Sequence, residues 1–213
     1  MVLSSPVQLA KTFILSKLRL GVLISGRGSN LKAILTAIAA DKLSAKICMV
    51  SSSNPQATGL EHAKKATIPY FGISPTSFES KKAYEAHLVT LFQSHGAEWI
   101  VLAGYMHVLG ETFLEAYPKK IINIHPSLLP AFKGLHAQKQ ALDYGVKLSG
   151  CTTHFVDKSL DGGPIIQQLP VSVLEHDTVE TLSKRILKKE HRLLISTLND
   201  IQKEYEHEKK SLN

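Results

Sequence analysis

Apolar residues in this chain come in short runs that alternate with stretches of helical spacing. "LRLGVLIS" (Leu18–Ser25) reads as a buried strand, and "SNLKAILTAIAA" then sets Leu31, Ile34, Leu35 and Ile38 on one helical face. "AKICMVSS" predicts a second strand, "GLEHAKKAT" a short helix and "IPYFGI" a short strand. Thr76 and Glu79 have capping-box spacing, and the next helix is expected to bury Tyr84, Leu88, Leu91 and Phe92. "EWIVLAG" and "KKIINIH" are continuously apolar in the manner of parallel central strands. After about Gly134 the rhythm changes: "SGCTTHFV" and "PIIQQLPVSV" flank "DKSLDGG", which predicts an antiparallel addition. From about Asp177 a long helix is expected, with Val179, Leu182, Ile186, Leu193, Leu194, Leu198 and Ile201 on one stripe. The expected fold class is therefore α/β. It has an open, mostly parallel twisted sheet flanked by helices, an antiparallel addition in the C-terminal half and a long C-terminal helix. Residues 1–17, which begin "MVLSSPVQLAKTF", read as an N-terminal extension with the character of a loosely packed helix, and 18–213 as a single domain.

Composition narrows the classes. The 213 residues are 44% hydrophobic and 20% charged, ordinary for a globular protein with a real core. Cys48 and Cys151 form no Cys-x-x-Cys pair and no disulfide framework, so a reducing, cytoplasmic setting is expected. No apolar run approaches the roughly 20 residues of a membrane span, and the start lacks a secretion signal. The formal charge of +7 is concentrated partly in the last helix. It suits small anionic ligands better than nucleic acid, because no aromatic-interleaved basic motif is present.

Two loops carry candidate chemistry. "SGRGSNL" (Ser25–Leu31) joins the first strand to the first helix, where free amides favour an anion and glycine permits close approach. Leu31 occupies the third-glycine position of a dinucleotide fingerprint, no acidic residue ends the second strand and no Gly-Lys-Ser/Thr is present at P-loop spacing, which argues against NAD and ATP. Phosphate binding by Gly28, Ser29 and Asn30 is one reading; a tight turn capped by Ser29 or Asn30 is the other. In "NIHPSLLPAFKG", Asn123 and His125 lie two apart on a strand that Pro126 must end, so both face one way at the strand's carboxyl end. "LDGGP" offers Asp161 on a glycine turn. An amide and an imidazolium aimed at one oxygen, with a carboxylate favouring the charged ring, make an oxyanion site. The trio has no nucleophile of its own and suits a substrate amine attacking an acyl donor. The alternatives are that Asp161 only stabilises its turn and Asn123 only caps the strand. His136 and His154 are expected nearby, and His154, alternating with Thr152, reads equally as a core histidine. The spacing of His125, His136, Cys151 and His154 does not make a zinc site, so no metal is expected. Glu190 falls on the apolar stripe of the last helix, where a carboxylate needs a partner.

"VLISGRGSNL", "VLAGYMHVL", "NIHPSLLPAFKGLHA", "SGCTTHFV" and "LDGGPIIQQ" occur in the order found in the phosphoribosylglycinamide formyltransferases, a folate-dependent formyltransferase family that the chain resembles from about Leu18 to Leu194. The resemblance implies transfer of a formyl group from 10-formyltetrahydrofolate, as co-substrate, to the glycinamide amine of 5'-phosphoribosylglycinamide in purine synthesis. It implies Asn123, His125 and Asp161 as the catalytic trio. It also implies phosphate binding by Gly28, Ser29 and Asn30, and Glu190 on the nucleotide substrate. The folate pocket would use Lys81, Met106, His107, Val108, Leu109, Asn123 and Asp157. Residues 18–117 would then be mainly the nucleotide half and 118–213 mainly the catalytic and folate half. Where the family commonly has Arg, this chain has Lys81 and His107, and neither offers the planar fork of guanidinium. The partners implied are small molecules, with no nucleic acid and no membrane, in a monomer or homodimer. Within the wider family, chain length disfavours a tRNA-specific formyltransferase with an added C-terminal domain. It also disfavours a formyltetrahydrofolate hydrolase with an N-terminal one. A hydrolase-like enzyme or a non-catalytic folate or phosphometabolite binder remains the alternative.

Overall fold

The computed structural model describes residues 17–211, with α6 reaching its end, and the expected N-terminal helix lies outside the described residues. In chain order the elements are β1 (Leu18–Ile24), α1 (Ser29–Ala39), β2 (Ala45–Ser52), α2 (Leu60–Lys65), β3 (Tyr70–Gly72), α3 (Lys81–Ser94), β4 (Trp99–Leu102), α4 (Glu111–Ala116), β5 (Ile121–His125), α5 (Ala137–Tyr144), β6 (Leu148–Phe155), β7 (Ile165–Ser172) and α6 (Val179–Ser211). They build one seven-stranded sheet in the order β3-β2-β1-β4-β5-β6-β7. The first five strands in sequence run parallel, and β6 and β7 are added antiparallel beyond β5. The chain works outward from β1 to β3, then returns to β1's other side with β4. The crevice between β1 and β4 is thus the topological switch point where such sheets hold ligands.

Alternation along the strands assigns the faces. Leu20, Val22 and Ile24 of β1, Val101 of β4 and Ile122 and Ile124 of β5 meet Leu31 and Ile34 of α1 and the Leu182–Ile201 stripe of α6. Leu23, Ile100, Leu102 and Ile121 point the other way, onto Tyr84, Leu88 and Phe92 of α3 and Phe113 of α4. Burial on both faces is why these strands read as unbroken apolar runs. Since Ile121 faces α3 and α4, so do Asn123 and His125 (period two). Residues on both sides of position 117 share one core cluster, which runs from Leu18 to Ile201.

Three details differ from the expected pattern. Thr76 and Glu79 do not cap α3. Pro75 opens a single 3₁₀ turn over Pro75–Ser77, Phe78 returns to extended backbone, and Ser80 then caps α3 by accepting from the Ala83 amide at 3.1 Å. α4 and α5, six and eight residues long, are too short for hydrophobic periodicity to announce them. Leu91 is only partly buried, whereas Glu85 of the same helix is 2% exposed and accepts from the Gly110 amide at 2.6 Å.

The β1–α3 contact is tight. A Cβ added at Gly21 would stand 2.4 Å from Cδ1 of the fully buried Phe92. Gly21→Ala is expected to destabilise the protein by about 1–3 kcal/mol through overpacking. Adding Phe92→Leu should recover part of that loss, measured as non-additivity in urea melts of the two single variants and the double.

Candidate active site

β5 ends at His125 because Pro126 cannot continue the ladder. The next segment folds back over the strand end through a polar net from β6 and β7. Thr152 Oγ1 donates to Ser127 O at 2.7 Å and accepts from the Leu129 amide at 3.1 Å; Gln168 Nε2 donates to Leu129 O at 2.9 Å. This fixes the Phe132 carbonyl 2.8 Å from His125 Nε2. The Leu160–Pro164 turn closes from the other side. A Cβ on Gly163 would come 2.0 Å from Phe155 O, so only glycine fits there.

Asp161 sits at the centre. Its Oδ2 accepts from the Gly134 amide at 2.8 Å and lies 3.4 Å from His125 Nδ1; its Oδ1 lies 3.4 Å from Asn123 Nδ2 and 3.7 Å from His154 Nε2. Burial pulls the carboxyl upward. The contact with His154, the Gly134 amide and the two imidazole charges outweigh it and hold the carboxyl at about 2. For His125 burial is also the largest influence, and here it wins. The ring is held below the usual histidine range despite the Phe132 carbonyl and Asp161, and His154 adds to the depression. The expected readily charged imidazolium is therefore not the resting preference, and both His125 nitrogens already face acceptors. Backbone strain gathers at the same place: among the described residues, three of the six non-glycine residues at positive φ are Phe132 (55°), His136 (60°) and Asp161 (45°). His136 itself is exposed at the start of α5, away from the cluster's hydrogen bonds.

The glycine loop lies on the same rim, at the carboxyl end of β1. Gly28, not Ser29 or Asn30, takes the N-cap position of α1, at φ 66°, and a Cβ there would meet Gly59 Cα at 2.9 Å. Ser29 opens the helix, with no side chain capping its first amides. Asn30 is 5% exposed, and its Nδ2 donates to Glu190 Oε2 at 2.9 Å, tying α1 to α6. Asn30 Oδ1 is buried without a hydrogen-bond partner among the described residues. Glu190 lies on α6's buried stripe as expected, and burial raises its carboxyl above the usual range against the smaller pull of the Asn30 amide.

Comparison with known proteins matches residues 18–198 to the family described as "Formyl transferase". The chain belongs to the formyl transferase family. It is 44% identical to the phosphoribosylglycinamide formyltransferase of Bacillus subtilis (strain 168) over 183 residues, 86% of this chain and 94% of that protein. It is 39% identical to the protein of the same name from Escherichia coli (strain K12), over 81% of each. The crystal structure of glycinamide ribonucleotide transformylase 1 from Symbiobacterium toebii superposes with a TM-score of 0.86 at 45% identity, covering 88% of each chain.

Of the residues that the resemblance to this formyl transferase family assigns to folate, Met106, His107 and Val108 are exposed on the loop after β4. That loop is held to the glycine loop by the Met106 amide on Ser25 Oγ at 2.9 Å. Leu109 is 4% exposed and its side chain belongs to the α3–α4 core. Lys81 and His107, 26 residues apart in number, line one cavity of about 400 Å³, with Tyr84, Glu85 and Tyr105 in its wall. Lys81 Nζ is 3.8 Å from Glu85 Oε1. Asp157 is exposed, and Ser159 hydrogen bonds to it hold its carboxyl below the usual range. A larger hollow of about 910 Å³ lies beside the N-terminal half of β2, lined by Leu35, Ile47, Cys48 and Ile68, and the trio has no part in it. Among the described residues no group of side chains is arranged to hold a metal, no helix is long and apolar enough to cross a membrane, and both cysteines are buried and free. The residue undervalued from sequence is His154. Register pairs it with Asn123 across β5 and β6, which puts both on one face, a signal available once the antiparallel pairing is assumed.

A carboxyl whose folded pKa is raised contributes fully at acid pH, and that contribution is lost as pH rises through the raised value. Glu190→Gln, which keeps an acceptor for Asn30, should therefore melt above the parent at pH 8. The expected gap is roughly 2–4 °C, what about 1 kcal/mol produces in a domain of this size, and it should close near pH 4. A gap independent of pH contradicts the buried-charge account.

Proposed function

We propose that the chain is a phosphoribosylglycinamide formyltransferase, passing the formyl group of 10-formyltetrahydrofolate to the amine of 5'-phosphoribosylglycinamide. The carrying observation is the cluster of Asn123, His125 and Asp161, a trio with no nucleophile of its own, at the switch-point rim of a formyl transferase fold. The names of the relatives support the same substrates. In this reading the phosphate rests on the amides of Gly28, Ser29 and Asn30 at the start of α1, where the helix dipole favours it. Glu190 and the Asn30 carbonyl face the nucleotide's hydroxyl or amine donors. Met106, His107, Val108, Leu109 and the Asp157–Asp161 loop border the folate, with Lys81 and His107 directed at its carboxylates.

The substrate amine attacks the formyl carbon; a C–N bond forms and the carbonyl electron pair moves onto oxygen. Asn123 Nδ2–H and a His125 N–H donate to that oxygen. His125 keeps Nδ1 on Asp161 and turns Nε2 from the Phe132 carbonyl toward the oxyanion. Burial disfavours a charged ring at rest, so its second proton is best held once the oxygen is negative. The proton shed by the amine reaches the ring or Asp161 through water. It passes to the folate nitrogen as that nitrogen's bond to the formyl carbon breaks, releasing tetrahydrofolate.

The test is spectroscopic release of tetrahydrofolate on adding 5'-phosphoribosylglycinamide, against a water-only control. Release with water alone would point instead to a hydrolase, and binding without release to a non-catalytic protein. Asn123→Ala and His125→Ala should each lower kcat by about 10²- to 10³-fold, the loss of about 2.7–4 kcal/mol typical of one oxyanion donor, with circular dichroism unchanged. Near-parental turnover in folded His125→Ala removes that residue from the mechanism. Lys81→Ala should raise KM for the folate several-fold and leave kcat alone; an unchanged folate KM takes Lys81 out of that pocket.

A further inference from the structure

His154 is the one member of the polar cluster to which the oxyanion reading gives no task. It is 1% exposed and stands directly across the β5–β6 ladder from Asn123. Its Nδ1 lies 2.9 Å from the Phe155 carbonyl oxygen. A carbonyl can only accept, so Nδ1 carries a hydrogen, and in the neutral ring Nε2 then presents a lone pair. That lone pair is 3.1 Å from Asn123 Nδ2, which is also 3.4 Å from Asp161 Oδ1. The two amide hydrogens of Asn123 thus have two claimants of unequal strength, one close and one stretched.

We propose that His154 is a positioning residue for formyl transfer: its Nε2 lone pair holds one N–H of Asn123 and so presents the other to the formyl oxygen. The inference deepens the functional reading above and rests on Asn123 being an oxyanion donor. The terminal torsion of asparagine is broad and roughly two-fold, so an unrestrained amide can turn its oxygen into the cleft. There the oxygen would repel the developing charge it is meant to stabilise. A lone pair at Nε2 accepts from Nδ2 and repels Oδ1, which removes that degeneracy. The long contact to Asp161 is the one that yields as the oxyanion forms, and Asp161 keeps the Gly134 amide and His125.

Two replacements separate the ring's nitrogens. Glutamine can place its carbonyl oxygen where Nε2 stands. Asparagine reaches only the Nδ1 position, keeping a bond to Phe155 while leaving nothing for Asn123. Steady-state kinetics with both substrates, in the parent and in Asn123→Ala, are expected to show His154→Gln within about threefold of the parent. His154→Asn should fall about 10- to 100-fold in kcat, within the range of couplings between contacting residues, with both KM values within about twofold. In the Asn123→Ala background, His154→Asn should cost less than about threefold more. Equal losses in both backgrounds, equal losses for glutamine and asparagine, or an unchanged kcat in His154→Asn each overturn the proposal and leave His154 a packing residue. If His154→Asn does not fold by circular dichroism, His154→Met in the same two backgrounds carries the same expectations. Full turnover in Asn123→Ala alone is a different failure: it sinks the oxyanion reading and this inference with it.

Discussion

A half-buried carboxylate must find donors, and the need of Asp161 for them organises the rim of this sheet. Its two oxygens draw a backbone amide from the loop after β5 together with His125 and Asn123 of β5, and the His154 ring of β6 stands beside them. Apart from His154, seven positions away, each of these partners is 27 or more residues from Asp161 along the chain. The turn that carries it sits at φ 45°, and closes only because Gly163 has no side chain. Such strain persists where surrounding contacts over-determine it, and here they do: Thr152 and Gln168 pin the loop opposite. Held at about 2, the carboxyl stays ionised throughout the neutral range. The cluster therefore has a fixed negative centre beside a ring that burial discourages from charging.

That balance shapes what chemistry can occur. A permanently charged imidazolium locked onto Asp161 and Phe132 would have no hydrogen to offer a substrate. A ring poised below its usual range can accept its second proton when negative charge arrives beside it, which is when an oxyanion site is needed. A donor that strengthens with the reaction stabilises the transition state more than the ground state. In the mechanism proposed above the same logic applies to Asn123, whose contact to Asp161 is stretched to 3.4 Å and so is the one a better acceptor would replace.

How much of this was legible before the fold was known depended on whether a feature repeats along the chain. The parallel strands declared themselves because both faces are buried, so Leu20–Ile24 and Ile100–Leu102 read as unbroken apolar runs. α4 and α5 did not, being under three turns. The start of α3 was misplaced by a plausible capping box, because Thr76 and Glu79 have suitable spacing but Pro75 commits the segment to a 3₁₀ turn first. Asn123, His125 and Asp161 were visible as polar residues where an apolar strand or glycine turn ends. His154 was not distinguishable from a core histidine, since its meaning lies in the register of two antiparallel strands. Glu85 gave no cue at all; its buried carboxylate serves the Gly110 amide, 25 residues on.

The pair of Asn30 and Glu190 shows how much of the rim's polarity the fold itself would do without. A Leu at 190 would complete the stripe of Ile186, Leu193 and Leu194, and replacing buried polar pairs with apolar ones is often neutral or stabilising. The chain instead keeps an acid whose charged form burial disfavours, a glutamate–amide bond spanning 160 residues, and an amide oxygen left without a partner in the interior. The buried acid and the unpartnered oxygen each lower stability taken alone, and the bond between the two residues offsets only part of it. They sit together at the end of α1 whose amides are uncapped, on the same rim as the strained Asp161 turn. Violations of local economy scattered at random would mean little. Gathered at one end of the sheet, on elements from both ends of the chain, they are what the nucleotide-binding reading proposed above would require of this rim.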